Sequence, residues 1–132
     1  MDIFIIDTNV IFSAILNVES GIGQFILKTK EHNISLFSPS YVKTEIEKHF
    51  TKIVNRSKLS EADIRLAMEL IYSRIVFISD DLIPFEEYIK AMRIVRDIDP
   101  DDVVFVALTS YMDKVLCTSL LKQHLLASHH QI

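Results

Sequence analysis

The chain predicts an α/β fold, a mostly parallel sheet covered by helices on both faces. Three observations carry that expectation. Short apolar runs over 3–6 and 75–78 lack polar alternation and read as buried strands, and 115–118 reads as a last short strand. Segments with apolar residues at helical spacing lie between the strand candidates. The 132 residues contain only 2 glycines and 3 prolines, which leaves no flexible linker and predicts one domain over 1–132.

In chain order, the run over 3–6 stops at Asp7-Thr8-Asn9, and Asn9 is a candidate cap for a helix over 10–16. A second helix is expected over about 21–30, then a strand over 35–38 that ends at Pro39. From 40 to about 54, Val42, Ile46, Phe50 and Ile53 share one helical face. Ser60 and Asp63 resemble a capping box, opening a helix that carries Ile64, Ala67, Met68 and Ile71. Pro84 suits the first turn of a helix with Phe85, Tyr88, Ile89 and Met92 on its apolar side. Asp99-Pro100-Asp101-Asp102 opens a helix through about Tyr111.

Composition narrows the function. The formal net charge of -4 argues against gripping nucleic acid by bulk electrostatics. It permits an enzyme that gathers acidic residues around divalent cations. No apolar run is long enough to span a bilayer, and no basic segment precedes an apolar one as in a signal peptide. The single cysteine, Cys117, excludes an internal disulfide and fits a reducing cytoplasm. It sits in an apolar strand candidate, where a packed thiol is expected. Cys/His spacing for zinc and a glycine-rich phosphate loop are both missing.

Ligands of parallel sheets bind at the carboxyl ends of the strands. Asp7 lies at one such end, and Asp80 and Asp81 lie just past another. Hard cations such as Mg2+ prefer oxygen ligands, and carboxylates brought close together without one repel each other. Each candidate also has a plain structural role. Asp7 would end a strand and help to cap the next helix. Asp99 would be an N-cap, with Asp101 and Asp102 complementing the helix dipole. Glu45 and Glu47 flank the apolar stripe of their helix about equally, roughly 100° from its centre, so periodicity does not choose between them. Either would pair with Lys43 or Lys48 on a solvated face.

Taken together, these segments resemble the PIN domain, the fold of VapC-type toxins and of other ribonucleases. The resemblance rests on Ile5-Ile6-Asp7-Thr8-Asn9-Val10-Ile11, on Ser38-Pro39-Ser40-Tyr41-Val42-Lys43-Thr44-Glu45-Ile46, and on Asp99-Pro100-Asp101-Asp102 followed by Val103-Val104-Phe105-Val106-Ala107-Leu108. It covers residues 3 to about 118 in order. It implies a three-layer α/β/α fold whose central, mostly parallel sheet has four or five strands. By resemblance, Asp7, Glu45 and Asp102 are the catalytic acids. Together with Asp99 they would hold Mg2+ or Mn2+, with Thr8 and Asn9 beside them. Thr8 would hydrogen-bond a carboxylate.

The C-terminus departs from the family. A strand followed by Thr, a small residue and an acid is usual. Thr118 and Ser119 fit, but Leu120 stands where the acid is expected, and 119–132 is atypical. Either the remaining acids suffice, or the protein binds without cutting, or the gene end is unusual. The activity implied is metal-dependent hydrolysis of RNA by an activated water, leaving a 5′-phosphate and a 3′-hydroxyl. Implied partners are the RNA substrate, an antitoxin protein and a second copy of the chain in a homodimer, with no membrane. The dimer surface would come from the helices after Ser20 and Ser60. Lys28, Lys30, Lys43, Lys48, Lys52, Arg56, Lys58, Arg93 and Arg96 are candidates for phosphate contacts or for ordinary solvated faces. A haloacid-dehalogenase-type phosphatase would need a second Asp where Asn9 stands. A response-regulator receiver would need an acid pair where Asp7 stands alone.

Overall fold

The computed structural model describes residues 2–95 and 102–115. The chain forms two compact units, one ending at Asp80 and the other beginning at Asp81.

The first unit is built on three parallel strands: β1 (Asp2–Ile5), β2 (Ile34–Pro39) and β3 (Ile75–Ile78), in the order β1-β2-β3. Phe4 pairs with Leu36, and Leu36 with Ile75. Parallel neighbours need long crossovers, and helices supply them. Between β1 and β2 come α1 (Thr8–Leu16), α2 (Gly21–Leu27) and a 3-10 turn (Thr29–His32). Between β2 and β3 come α3 (Tyr41–Lys48), α4 (Phe50–Arg56) and α5 (Glu61–Tyr72). This is a mixed α/β architecture with a parallel sheet, as the PIN-like expectation requires. The sheet has three strands among the described residues rather than four or five. Val115, expected to begin a further strand, lies in a helix, and 116–118 fall outside the described residues.

The core forms where the apolar periodicities meet. Ile11 and Ile15 of α1, Ile26 of α2, Val42 and Ile46 of α3, Ile53 of α4, and Ile64 and Ile71 of α5 are wholly buried, and Leu36 of β2 is nearly so. Burying each such side chain is worth about 1.5–3 kcal/mol, so these residues dominate the stability of the unit. Helix α1 packs against α2, α3 and α5, which holds its N-terminus firmly at the sheet's carboxyl edge.

Several sequence expectations change in detail. Asp7, not Asn9, caps α1. Its backbone is extended (φ -93°, ψ 174°), and its side chain accepts a hydrogen bond from the Val10 amide, while Asn9 lies inside the first turn. The helix expected over 40–54 breaks at His49, whose N–H reaches the Ile46 carbonyl as well as that of Glu45. The turn tightens there and α4 restarts, yet Val42, Ile46, Phe50 and Ile53 all stay buried. Strand β1 is not buried on both faces: Phe4 is 47% exposed, its ring meeting Phe25 edge-on at 6.2 Å. Successive side chains on a strand point to opposite faces, and one face of β1 is open at this residue.

The second unit contains a 3-10 turn ending at Leu82, α6 (Phe85–Ile94) and a helix over 102–115, here α7. Pro84, expected in the first turn of α6, is its N-cap. The inward face of α6 also differs from the expected one. Phe85 and Met92 are exposed, and Glu87 and Ala91 are buried. Glu87 is paired with Lys114 of α7, so a neutralised carboxylate takes an interior place that hydropathy would give to an apolar side chain. Among the described residues, no single helix is long and apolar enough to cross a membrane.

Candidate metal-binding site

The end of β1 is extended beyond its last paired residue. The Ile6 amide donates to the Phe37 carbonyl at 3.0 Å, and the buried Ser38 hydroxyl donates to the Ile6 carbonyl at 2.8 Å. Ser40 N–H reaches the Ile78 carbonyl at 2.9 Å, which ties the end of β2 to the end of β3. The backbone that delivers Asp7 is therefore fixed from below. The sequence does not signal this role of Ser38, because a serine inside an apolar strand carries no sign of its partner.

Asp7 is exposed, and its Oδ1 accepts from Val10 N at 3.0 Å. The next residue, Thr8, donates its hydroxyl to Glu45 Oε1 at 2.8 Å, across 37 residues of sequence. This bond brings a carboxylate of α3 beside the residue that follows Asp7. The neighbouring choice, Glu47, is engaged elsewhere: both of its oxygens face the Arg65 guanidinium of α5. That contact holds the Arg65 pKa above its ordinary value. Arg65 also lies over the Phe50 ring at 3.8 Å. The two glutamates that periodicity left equivalent are thus separated by their partners.

Asn9 is exposed in the first turn of α1, and Asp102 is exposed at the start of α7 in the second unit. Asp99, Thr118 and Ser119 lie outside the described residues, as does Arg96. Among the described residues, no group of three or more His, Cys, Asp or Glu side chains is placed to hold a metal ion. A magnesium site does not require one, since Mg2+ keeps several waters and commonly takes one or two protein carboxylates plus substrate phosphates. Asp7 and Glu45 are hard oxygen donors, and the hydrogen bonds to each engage one oxygen of the pair. Their chemistry fits such an ion.

The surroundings of α3 are also charged. Lys43 places its ammonium 4.3 Å from the centre of the Phe77 ring and 5.6 Å from that of Tyr72. Burial pushes the Tyr72 phenol up to about 12, with Glu47 adding to the shift and Arg65 opposing it. Lys43 is therefore held by aromatic faces. Lys48, Lys52, Arg56 and Lys58 are exposed on or after the same helical segment.

The PIN domain family model matches residues 5–118, most of the chain, and the protein belongs to that family. The PIN fold is generally a nuclease fold, and its nucleases typically use divalent metals. Neither a curated protein nor a solved structure matches the chain.

Proposed function

We propose that this protein is a metal-dependent ribonuclease of PIN type, acting in the cytoplasm as the toxin of a toxin–antitoxin pair. The observation that carries the nuclease reading is the bond from Thr8 to Glu45 at the carboxyl edge of a parallel sheet, directly beside Asp7. Asp7 and Glu45 would be ligands of Mg2+ or Mn2+, and the family resemblance adds Asp102 and Asp99. When bound, such an ion polarises a phosphodiester and lowers the pKa of water. The chain's own residues supply the rest. Val10 N–H and Thr8 fix one oxygen each of Asp7 and Glu45, so the remaining oxygens are oriented before an ion arrives. Exposed lysines after α3 would steer RNA phosphates.

A second reading has its own observation. Leu120 replaces an expected acid, which favours a PIN-fold protein that binds RNA or a protein partner without cleaving. The test is incubation with single-stranded RNA in Mn2+ or EDTA, beside Asp7→Asn. Cleavage that needs the ion and disappears in the variant supports the nuclease. A well-folded protein that never cleaves supports the binding module.

The partners proposed with this function are an antitoxin protein and a second copy of the chain. Ile22 and Phe25 of α2 and Leu66 and Leu70 of α5 are exposed apolar residues on the two helices expected to form a dimer surface. Light scattering across a concentration series tests the dimer.

A further inference from the structure

A pocket of about 280 Å³ opens at the amino-terminal ends of β2 and β3, lined in part by Lys30, Ser35, Leu36, Ser73, Arg74 and Ile75. Strand rise separates it from the Asp7 edge by the length of β2, about 17–20 Å. Among the described residues, two cations line it and no acidic residue does, in a chain whose net charge is -4.

Part of this charge has a structural explanation. Arg74 follows α5, and Lys30 lies in the 3-10 turn before β2, where cations complement helix C-terminal carbonyls. The dipole does not explain one atom. Arg74 Nε is buried and has no hydrogen-bond partner among the described residues. A buried donor without an acceptor costs about 1–3 kcal/mol, more on a charged group, and an acceptor bound at this atom would relieve that cost. The bond from Arg74 N to the Ile71 carbonyl fixes the backbone of the turn. An arginine presents its donors as a planar fork suited to oxyanions.

The geometry points to a binding site for a tetrahedral oxyanion, inorganic phosphate or the phosphate of a mononucleotide, held by Arg74 and Lys30 at the amino-terminal edge of the sheet. This site is separate from the Asp7 edge and does not depend on the nuclease reading. The anion accepts from the Arg74 guanidinium, with the Lys30 ammonium as a second charge. Leu36 and Ile75 form an apolar wall that lowers the local dielectric and strengthens both contacts.

The test is NMR of the full chain labelled with 15N, titrated with sodium phosphate and separately with adenosine 5′-monophosphate, against sodium chloride at matched ionic strength. The expected result is saturable movement of the Arg74 Nε–H signal and of the Ser73, Ile75 and Ser35 amides. Arg74→Gln should weaken binding about tenfold or more, equivalent to about 1.4 kcal/mol. Lys30→Gln, an exposed change that keeps the fold, should weaken it less. Tighter binding of the nucleotide identifies a nucleotide phosphate as the source, and equal binding identifies the free ion. Shifts that never saturate, that match those from chloride, or that persist in a folded Arg74→Gln protein would overturn the proposal.

Discussion

Thr8 donates its hydroxyl to Glu45 at 2.8 Å and thereby joins the start of α1 to the middle of α3. The bond is partly buried and spans 37 residues, so it fixes tertiary structure rather than a local turn. Thr8→Val keeps the shape and removes the donor. The expected cost is about 1 kcal/mol, read as a lower urea midpoint with an unchanged slope, and Thr8→Ser should recover most of it. If Thr8→Val unfolds at the wild-type midpoint, the bond is not formed in solution.

Asp7 has two roles that separate by substitution. Its side chain caps α1 through the Val10 amide, and its charge is what a cation would use. Asparagine caps as well as aspartate, whereas alanine loses the cap at a cost of about 1 kcal/mol. Asp7→Asn should therefore unfold near the wild-type midpoint, and Asp7→Ala measurably below it. Under the nuclease reading, neither should cleave RNA. An active Asp7→Asn protein would remove Asp7 from the metal site.

The fold class was legible because period and composition act locally. Ile64, Ala67, Met68 and Ile71 fall on one face of α5 by helical spacing, and all four are buried. Ser60 is of the residue type that caps a helix, and its hydroxyl accepts from Asp63 N. What was not legible depended on distant partners. Glu45 and Glu47 are alike on a helical wheel and differ only because Thr8 and Arg65 arrive from other elements. Glu87 lies buried and paired with Lys114, a partner that no local pattern reveals. Asn9 looked like a cap because the turn favours its residue type, but the extended backbone falls two residues earlier, at Asp7.

The two glycines should respond in opposite ways. A methyl group on Gly23 would sit 2.2 Å from the Val18 carbonyl oxygen, a backbone atom that cannot step aside. A methyl group on Gly21 would meet nothing within 4 Å. Gly23→Ala should lose about 1–3 kcal/mol through overpacking. Gly21→Ala should be neutral or gain up to about 1 kcal/mol from the lower entropy of its unfolded chain. Thermal melts of the two variants check both signs.

The Glu87 carboxyl is held below its ordinary value near 4.5, chiefly by its hydrogen bond to Lys114, with Ser110 assisting and burial opposing. A carboxylate depressed in the folded state stabilises it above the unfolded pKa, and that contribution is lost as pH falls through the lower folded value. The wild type should therefore lose stability relative to Glu87→Gln as pH drops from about 5 toward 3, and the difference should be flat at neutral pH. Urea midpoints of the pair across that range are the measurement. A constant difference would show that the ion pair does not form.

Glu45 and Glu47 offer the sharpest contrast, because they share a helix and a chemistry but not a partner. Glu47→Gln breaks the pair with Arg65, whose side chains are 52% and 45% exposed. Exposed pairs contribute little and are screened by salt. The variant should keep near-wild-type stability, with any small loss vanishing in high salt, and should keep whatever RNA cleavage the wild type has. Glu45→Gln retains an oxygen for the Thr8 hydroxyl and removes the charge. It should also fold with little change, yet lose metal-dependent cleavage by orders of magnitude if Glu45 is a ligand. Isothermal titration with Mn2+ gives a readout that does not need turnover: affinity should fall in Glu45→Gln and stay unchanged in Glu47→Gln. Equal affinities in the two variants would place the ion away from α3 and leave Glu45 as a structural acceptor for Thr8.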